Sequence, residues 1–142
     1  MHGFPAVLIA AGAVQVTCQV FKLVYYSIRD GRIGWKYLTT AGGIPSAHSA
    51  FVTTLSVLIV LRDGIGSDIF AVCAAFSAVV IFDAYRLRGH VQQQTVVINR
   101  LLDRLDHHEE IRMTEMIGHS ITEIAAGILV GGVLGLVAYF II

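Results

Sequence analysis

Apolar residues in this chain come in long, nearly unbroken runs, not in the alternation of a half-buried strand. The runs cover residues 5–28, 45–61, 64–82 and 118–142. Crossing a bilayer takes about 20 mostly apolar residues, within a range of roughly 17–25, and each run meets that length. The first is uncharged as far as Phe21 and meets Lys22 near its end. The third has Asp68 near its start and Asp83 just past its end, and the fourth carries one charge, Glu123. Continuous apolarity predicts spanning helices and argues against barrel strands, whose lipid-facing and lumen-facing residues alternate. The expected fold is an all-α integral membrane bundle of about four transmembrane helices in one domain, residues 1–142.

Two connections interrupt the apolar runs: a short one at 29–36 and a longer, charge-rich one at 85–117. Within the second, Val96, Val97, Ile98, Leu101, Leu102 and Leu105 recur at helical spacing among Arg100, Asp103, Arg104 and Asp106. That pattern predicts an amphipathic helix lying on the membrane surface or capping the bundle. His107, His108, Glu109 and Glu110 follow it. Adjacent residues on a helix point in different directions, so this run reads as a solvated helix end, not a metal site.

Composition agrees with the membrane reading. Of 142 residues, 56% are hydrophobic and 14% charged, against about 25% charged in soluble domains. Mean hydropathy is +0.73. Formal net charge is zero, so no nucleic-acid footprint is present. Cys18 and Cys73 lie inside apolar runs and read as small core residues, not a disulfide. No cleavable signal peptide is expected, since the start is not basic and no small-residue cleavage site follows the first run.

Four spans fix sidedness. The end of the first, the start of the second, the end of the third and the start of the fourth share one membrane face. Lys22, Arg29, Ser46, His48, Arg86, Arg88 and His119 therefore converge there. Among them, Gly42-Gly43-Ile44-Pro45-Ser46-Ala47-His48-Ser49 lies within a run, 37–61, that has no Asp, Glu, Lys or Arg. Pro favours the first helical position, and paired glycines let backbone N–H groups turn toward one point. With the positive end of the helix dipole this makes an anion seat, to which Ser46 and His48 can donate. A plain helix start with a Ser cap and a buried His explains the same octapeptide. His119 and Glu123, at helical spacing on one face, form a pair in which the carboxylate holds one imidazole nitrogen and leaves the other nucleophilic. A structural hydrogen bond between helices is the alternative. Lys22 and Arg29 are two helical turns apart and share a face. Asp83, Arg86 and Arg88 follow the third run, and Arg suits a bidentate grip on phosphate; ordinary flanking charge explains these three equally, and snorkelling at a span end explains Lys22 and Arg29.

Together these residues resemble the divergent, short branch of the phosphatidic acid phosphatase type-2 and vanadium haloperoxidase-related superfamily. Its first motif, KxxxxxxRP, is matched by Lys22 and Arg29, with Asp30 in place of the proline. Its second, PSGH, is matched by Pro45-Ser46-Ala47-His48 with Ala47 for glycine. Its third, SRxxxxxHxxxD, is matched by His119 and Glu123, with glutamate for aspartate and Met113 where arginine is usual; Arg112 is one place off. The segments 42–50 and 118–127, and Asp83 through Arg88 with Gln94 and Asn99, resemble the short branch itself.

The resemblance implies a metal-independent, cofactor-free phosphatase of lipid phosphates. By it, His119 is the nucleophile that becomes phosphohistidine, Glu123 orients it, and His48 protonates the leaving oxygen. Lys22, Arg29 and Ser46 bind phosphate, and Arg88, Arg86 or Arg112 replaces the missing arginine. The expected substrate is a lipid phosphomonoester or diphosphate. The spans argue for lipid access over a haloperoxidase use of the pocket. A non-catalytic protein that keeps the anion pocket to bind a headgroup, or to serve assembly, is the alternative. A homo-oligomer is compatible with the sequence. Nine of the ten basic residues fall on the motif side and only Arg62 on the other, which predicts a site facing the cytoplasm from an inner or plasma membrane.

Overall fold

The computed structural model describes residues 6–38, 42–104 and 119–142, apart from the side chains of Lys36, Leu87, Arg88 and Gln92. The elements in order are α1 (Ala6–Arg29), a short 3-10 turn (Trp35–Leu38), α2 (Ala47–Asp63), α3 (Asp68–Tyr85), α4 (Leu87–Arg104) and α5 (Ile121–Tyr139). No strand occurs among the described residues. The fold is an all-α membrane bundle. Three helical stretches are long and apolar enough to cross a bilayer: Ala6–Arg29, Asp68–Arg104 and Ile121–Tyr139.

The second expected span behaves differently from the others. α2 has 17 residues, so it is about 25 Å long at about 1.5 Å per residue, against a hydrocarbon core of about 30 Å. It is the central helix, packed against α1, α3 and α5. Its start also differs from the expected one. Ser46 is the N-cap and Pro45 precedes it, so the proline is outside the helix and not at its first position. At the other end the Gly64 N–H closes the helix on the Val60 carbonyl at 3.1 Å, with Gly64 at φ 84°.

What seats α2 against α5 is a row of glycines. Gly127, Gly131 and Gly135 fall four apart and are buried on one face of α5. A Cβ on Gly127 would lie 2.4 Å from the Ser46 carbonyl oxygen, and one on Gly131 2.4 Å from that of Ala50. The two backbones therefore touch, as small residues allow in a membrane where dispersion packing replaces the hydrophobic effect between helices. Thr54 Oγ1 adds a hydrogen bond to the Gly131 carbonyl at 3.0 Å. Val14 and Cys18 of α1 close the core against Ala47 and Ala50, with Val130 and Leu134 packed on it. Between α2 and α3, Ser56 and Ser77 hydroxyls meet at 3.0 Å. Cys18 and Cys73 are both buried and free. Outward, α3 presents Ile69, Val72, Phe76 and Val79, an apolar stripe suited to lipid.

The amphipathic helix expected at 96–105 is longer than its sequence pattern. α4 starts at Leu87. Arg86, with φ −87° and ψ −58°, keeps right-handed helical backbone between α3 and α4, so the polar connection begins as helix and not as loop. His107, His108, Glu109, Glu110 and Arg112 lie outside the described residues.

Candidate active site

The site grows from the N-terminus of α5. Ser120 is its N-cap, and Glu123 completes a capping box: Ser120 Oγ accepts from the Glu123 N–H at 3.3 Å, and the Glu123 carboxylate accepts from the Ser120 N–H at 3.2 Å. His119 stands just before the cap. It does not share a helical face with Glu123, as the spacing suggested, because the chain at His119 has not yet entered the helix. The cap turn folds it back instead, so that His119 Nδ1 lies 2.9 Å from Glu123 Oε2. An ionised carboxylate only accepts, so Nδ1 is the donor in this bond, and in the neutral imidazole that tautomer leaves the lone pair on Nε2. His119 is buried, and its Nε2 makes no hydrogen bond among the described residues.

Three backbone contacts tie the other elements to this turn. The His119 N–H donates to the Ala84 carbonyl at 3.3 Å, which fixes the turn to the C-terminal end of α3. The Ser46 N–H donates to the Glu123 carbonyl at 3.0 Å, which brings the start of α2 alongside. The Gly43 amide faces the Glu123 carboxylate. Gly43 has φ 94°, and a Cβ there would lie 2.8 Å from the Tyr26 hydroxyl, so only glycine fits.

The expected phosphate ligands divide into groups. Lys22 is buried, 1% exposed, and its Nζ donates to the Gly42 carbonyl at 3.3 Å, so it braces the glycine loop from beneath. Ser46 Oγ accepts from the Ser49 N–H at 3.4 Å and the Ser49 hydroxyl at 3.0 Å, which makes it a helix cap with its own proton still to donate. His48 follows in the first turn of α2, partly buried. Arg29 points elsewhere: its Nε pairs with Asp30 at 3.1 Å and its guanidinium lies 4.7 Å from the centroid of the Tyr26 ring. Asp30 also accepts from the Tyr37 hydroxyl, and that bond raises the phenol's pKa. The residue that replaces the motif proline thus holds the motif arginine. Arg88 is in α4, and its side chain lies outside the described residues.

A cleft of about 610 Å³ opens beside His119, Ser120 and Glu123. Its opposite wall is Tyr85 and Arg86 at the end of α3 and one face of α4, including His90, Gln93, Val97 and Arg100. Neither Lys22 nor Arg29 lines it, nor do Ser46 and His48. The sequence reading named Arg86 but missed His90, Gln93 and Arg100 as site residues. Their spacing along α4 was the signal available.

A buried histidine held by a carboxylate at the end of a helical bundle places the chain among all-α membrane proteins with a polar cluster at the helix ends. A sequence model of the divergent PAP2 family matches residues 5–134, and the chain belongs to that family. It is 34% identical over 155 aligned positions to a Bacillus subtilis (strain 168) protein termed uncharacterized membrane protein YuiD, covering 99% of this chain and 97% of the relative. No solved structure matches it.

Proposed function

We propose that the protein is a metal-independent membrane phosphatase that hydrolyses a phosphomonoester or diphosphate of a lipid. The observation that carries this reading is His119, buried, with Nδ1 held by Glu123 and Nε2 buried without a hydrogen-bond partner among the described residues. That is the arrangement of an activated nitrogen nucleophile.

In the first step His119 Nε2 attacks phosphorus and the bond from phosphorus to the lipid oxygen breaks. His48 gives that oxygen a proton, so the alcohol leaves neutral. Glu123 stabilises the positive charge that develops on the imidazole, as a carboxylate does behind a catalytic histidine. In the second step water attacks the phosphohistidine and loses its proton to His48. The P–N bond breaks, phosphate leaves and Nε2 recovers its lone pair. Charge on the phosphoryl oxygens is met first by Arg86 on the cleft wall; this reading adds Ser46, Lys22, Arg29 and Arg88, and it requires Lys22 and Arg29 to leave the Gly42 carbonyl and Asp30 when substrate binds. The site lies at helix ends of a bundle whose helices are long enough to span a bilayer, which supports a lipid as the phosphate's carrier.

The test is phosphate release from a panel of lipid phosphates by purified protein with chelator present. Turnover that is lost in a folded His119→Ala variant and inhibited by vanadate, a mimic of the in-line transition state, supports the reading. Headgroup binding without release across the panel would make the protein a binder that keeps the pocket. Loss of turnover restored by added metal would move attention to the 107–110 run.

A further inference from the structure

The cleft is larger than its chemistry at His119 needs. One end is lined by His119, Ser120, Glu123 and Arg86, where the proposed function puts the phosphoryl group. From Arg86 to Arg100 the wall runs about 21 Å along the helix axis, at about 1.5 Å per residue. Along that wall Arg86, His90, Gln93, Val97 and Arg100 recur three or four residues apart, on one face of continuous helix. A volume of 610 Å³ is that of a site for a whole small molecule. Both arginines line it, and no ion pair to either occurs among the described residues. With the two backbones about 21 Å apart along the axis, at about 1.5 Å per residue, one phosphate meets both guanidinium groups only if both side chains extend fully toward it.

We infer that α4 carries a second anion subsite, centred on Arg100, for a second anionic group on the substrate. The inference rests on the phosphatase reading for what happens at His119, but the subsite itself is a matter of binding. The substrate class it defines is a lipid phosphate with two anionic groups held apart by a polar or short apolar linker. Phosphatidic acid, whose single headgroup is the scissile phosphate, would leave Arg100 without a partner. Gln93 offers the linker a hydrogen bond and Val97 offers it an apolar contact. Arg supplies the distal contact better than Lys would, since its planar fork grips phosphate or carboxylate through two bonds.

A molecular ruler tests this. Binding of alkane bisphosphonates of graded spacer length to the full-length protein in detergent is compared with alkyl monophosphonates of equal chain length. The best bisphosphonate should bind about tenfold or more tighter than its monophosphonate partner, the effect of one charged hydrogen-bonded contact. Arg100→Gln, at an exposed position, should erase that difference and leave monophosphonate affinity unchanged. A bisphosphonate series no tighter than the monophosphonates overturns the subsite, and so does an Arg100→Gln variant that weakens both alike. A protein that releases lipid phosphate but shows no bisphosphonate preference sinks the subsite alone. One that shows the preference but hydrolyses nothing sinks the phosphatase reading alone.

Discussion

Glu123 Oε2 accepts two hydrogen bonds at once, from His119 Nδ1 at 2.9 Å and from the Ser120 N–H at 3.2 Å. One atom therefore caps α5 and orients the imidazole, so the helix start and the nucleophile are set by the same bond geometry. The two duties can be separated. Ser120→Ala removes the cap oxygen and should cost about 1 kcal/mol of stability while leaving activity near the parent level. Glu123→Gln keeps a capping-box side chain but removes the charge behind His119. It should hold its melting temperature and lose roughly 10- to 10⁴-fold in kcat, in the range of triad-carboxylate changes. Equal activity in the Glu123→Gln and parent proteins would end the orienting role.

The glycine row makes a second, sharper test. Gly131→Ala places a methyl 2.4 Å from the Ala50 carbonyl oxygen and 2.8 Å from its Cα, both backbone atoms that cannot swing aside. Thermal unfolding in detergent should show a loss of about 1–3 kcal/mol, the usual effect of overpacking. Gly132→Ala meets nothing within 4 Å and gains helix propensity, so it should be neutral or stabilising by up to about 1 kcal/mol. Since α2 carries Ser46 and His48, the Gly131 variant should also lose activity at temperatures where it is still folded. Matching stabilities for the two variants would refute the close α2–α5 contact.

Lys22 and Arg29 match one motif but stand in different surroundings. Lys22→Met leaves the Gly42 carbonyl without its donor in a buried place and should destabilise by about 1–3 kcal/mol. It should also slow turnover, through the loop that carries Gly43 to Glu123. Arg29→Gln removes an exposed pair with Asp30 and should change stability by no more than about 0.5 kcal/mol. Steady-state kinetics decide whether Arg29 binds phosphate. If it does, KM rises about tenfold or more while the fold is unchanged. An unchanged KM confines Arg29 to its Asp30 and Tyr26 contacts.

His48 can be separated from His119 by the leaving group. If it is the general acid, His48→Ala should slow release from an alkyl phosphate by roughly 10²–10⁴-fold and from an activated aryl phosphate by far less. Equal loss on both would leave it a phosphate ligand only.

Much of this fold and site is legible along the chain because membrane spans are long and apolar, and their alternation across a bilayer dictates which ends meet. The convergence of Lys22, Ser46 and His119 follows from that rule: the Lys22 side chain reaches the Gly42 carbonyl, the Ser46 N–H the Glu123 carbonyl, and the His119 N–H the Ala84 carbonyl. Other features are less visible. The Gly127, Gly131 and Gly135 spacing was present as a repeat of four, but which helix it faces is a tertiary fact. His119 and Glu123 are legible as a pair, though not as a capping box, because a residue just before a helix and one within it share the spacing of two on a helical face. Arg100 could be placed on a helix but not aimed, since an amphipathic pattern says which residues share a face and not what that face meets.

The last prediction is the side of the membrane on which the site opens. Counting charge on the two sides gives nine basic residues against Arg62. Some of the nine are proposed to hold substrate, which biases the count, but setting aside Lys22, Arg29, Arg86, Arg88 and Arg100 still leaves four against one. Arg32 lies in the turn after α1, on the motif side, and Ile65 in the turn between α2 and α3, on the other. Both positions are exposed, and neither caps a helix as the Ser67 hydroxyl does by accepting from the Phe70 N–H. Single cysteines at 32 and 65, in a background with Cys18 and Cys73 replaced, would be probed in intact cells with a membrane-impermeant thiol reagent. The positive-inside rule predicts labelling at 65 and protection at 32 until the cells are lysed. Labelling at 32 and protection at 65 would turn the site outward and exchange the lipid leaflet from which it draws its substrate.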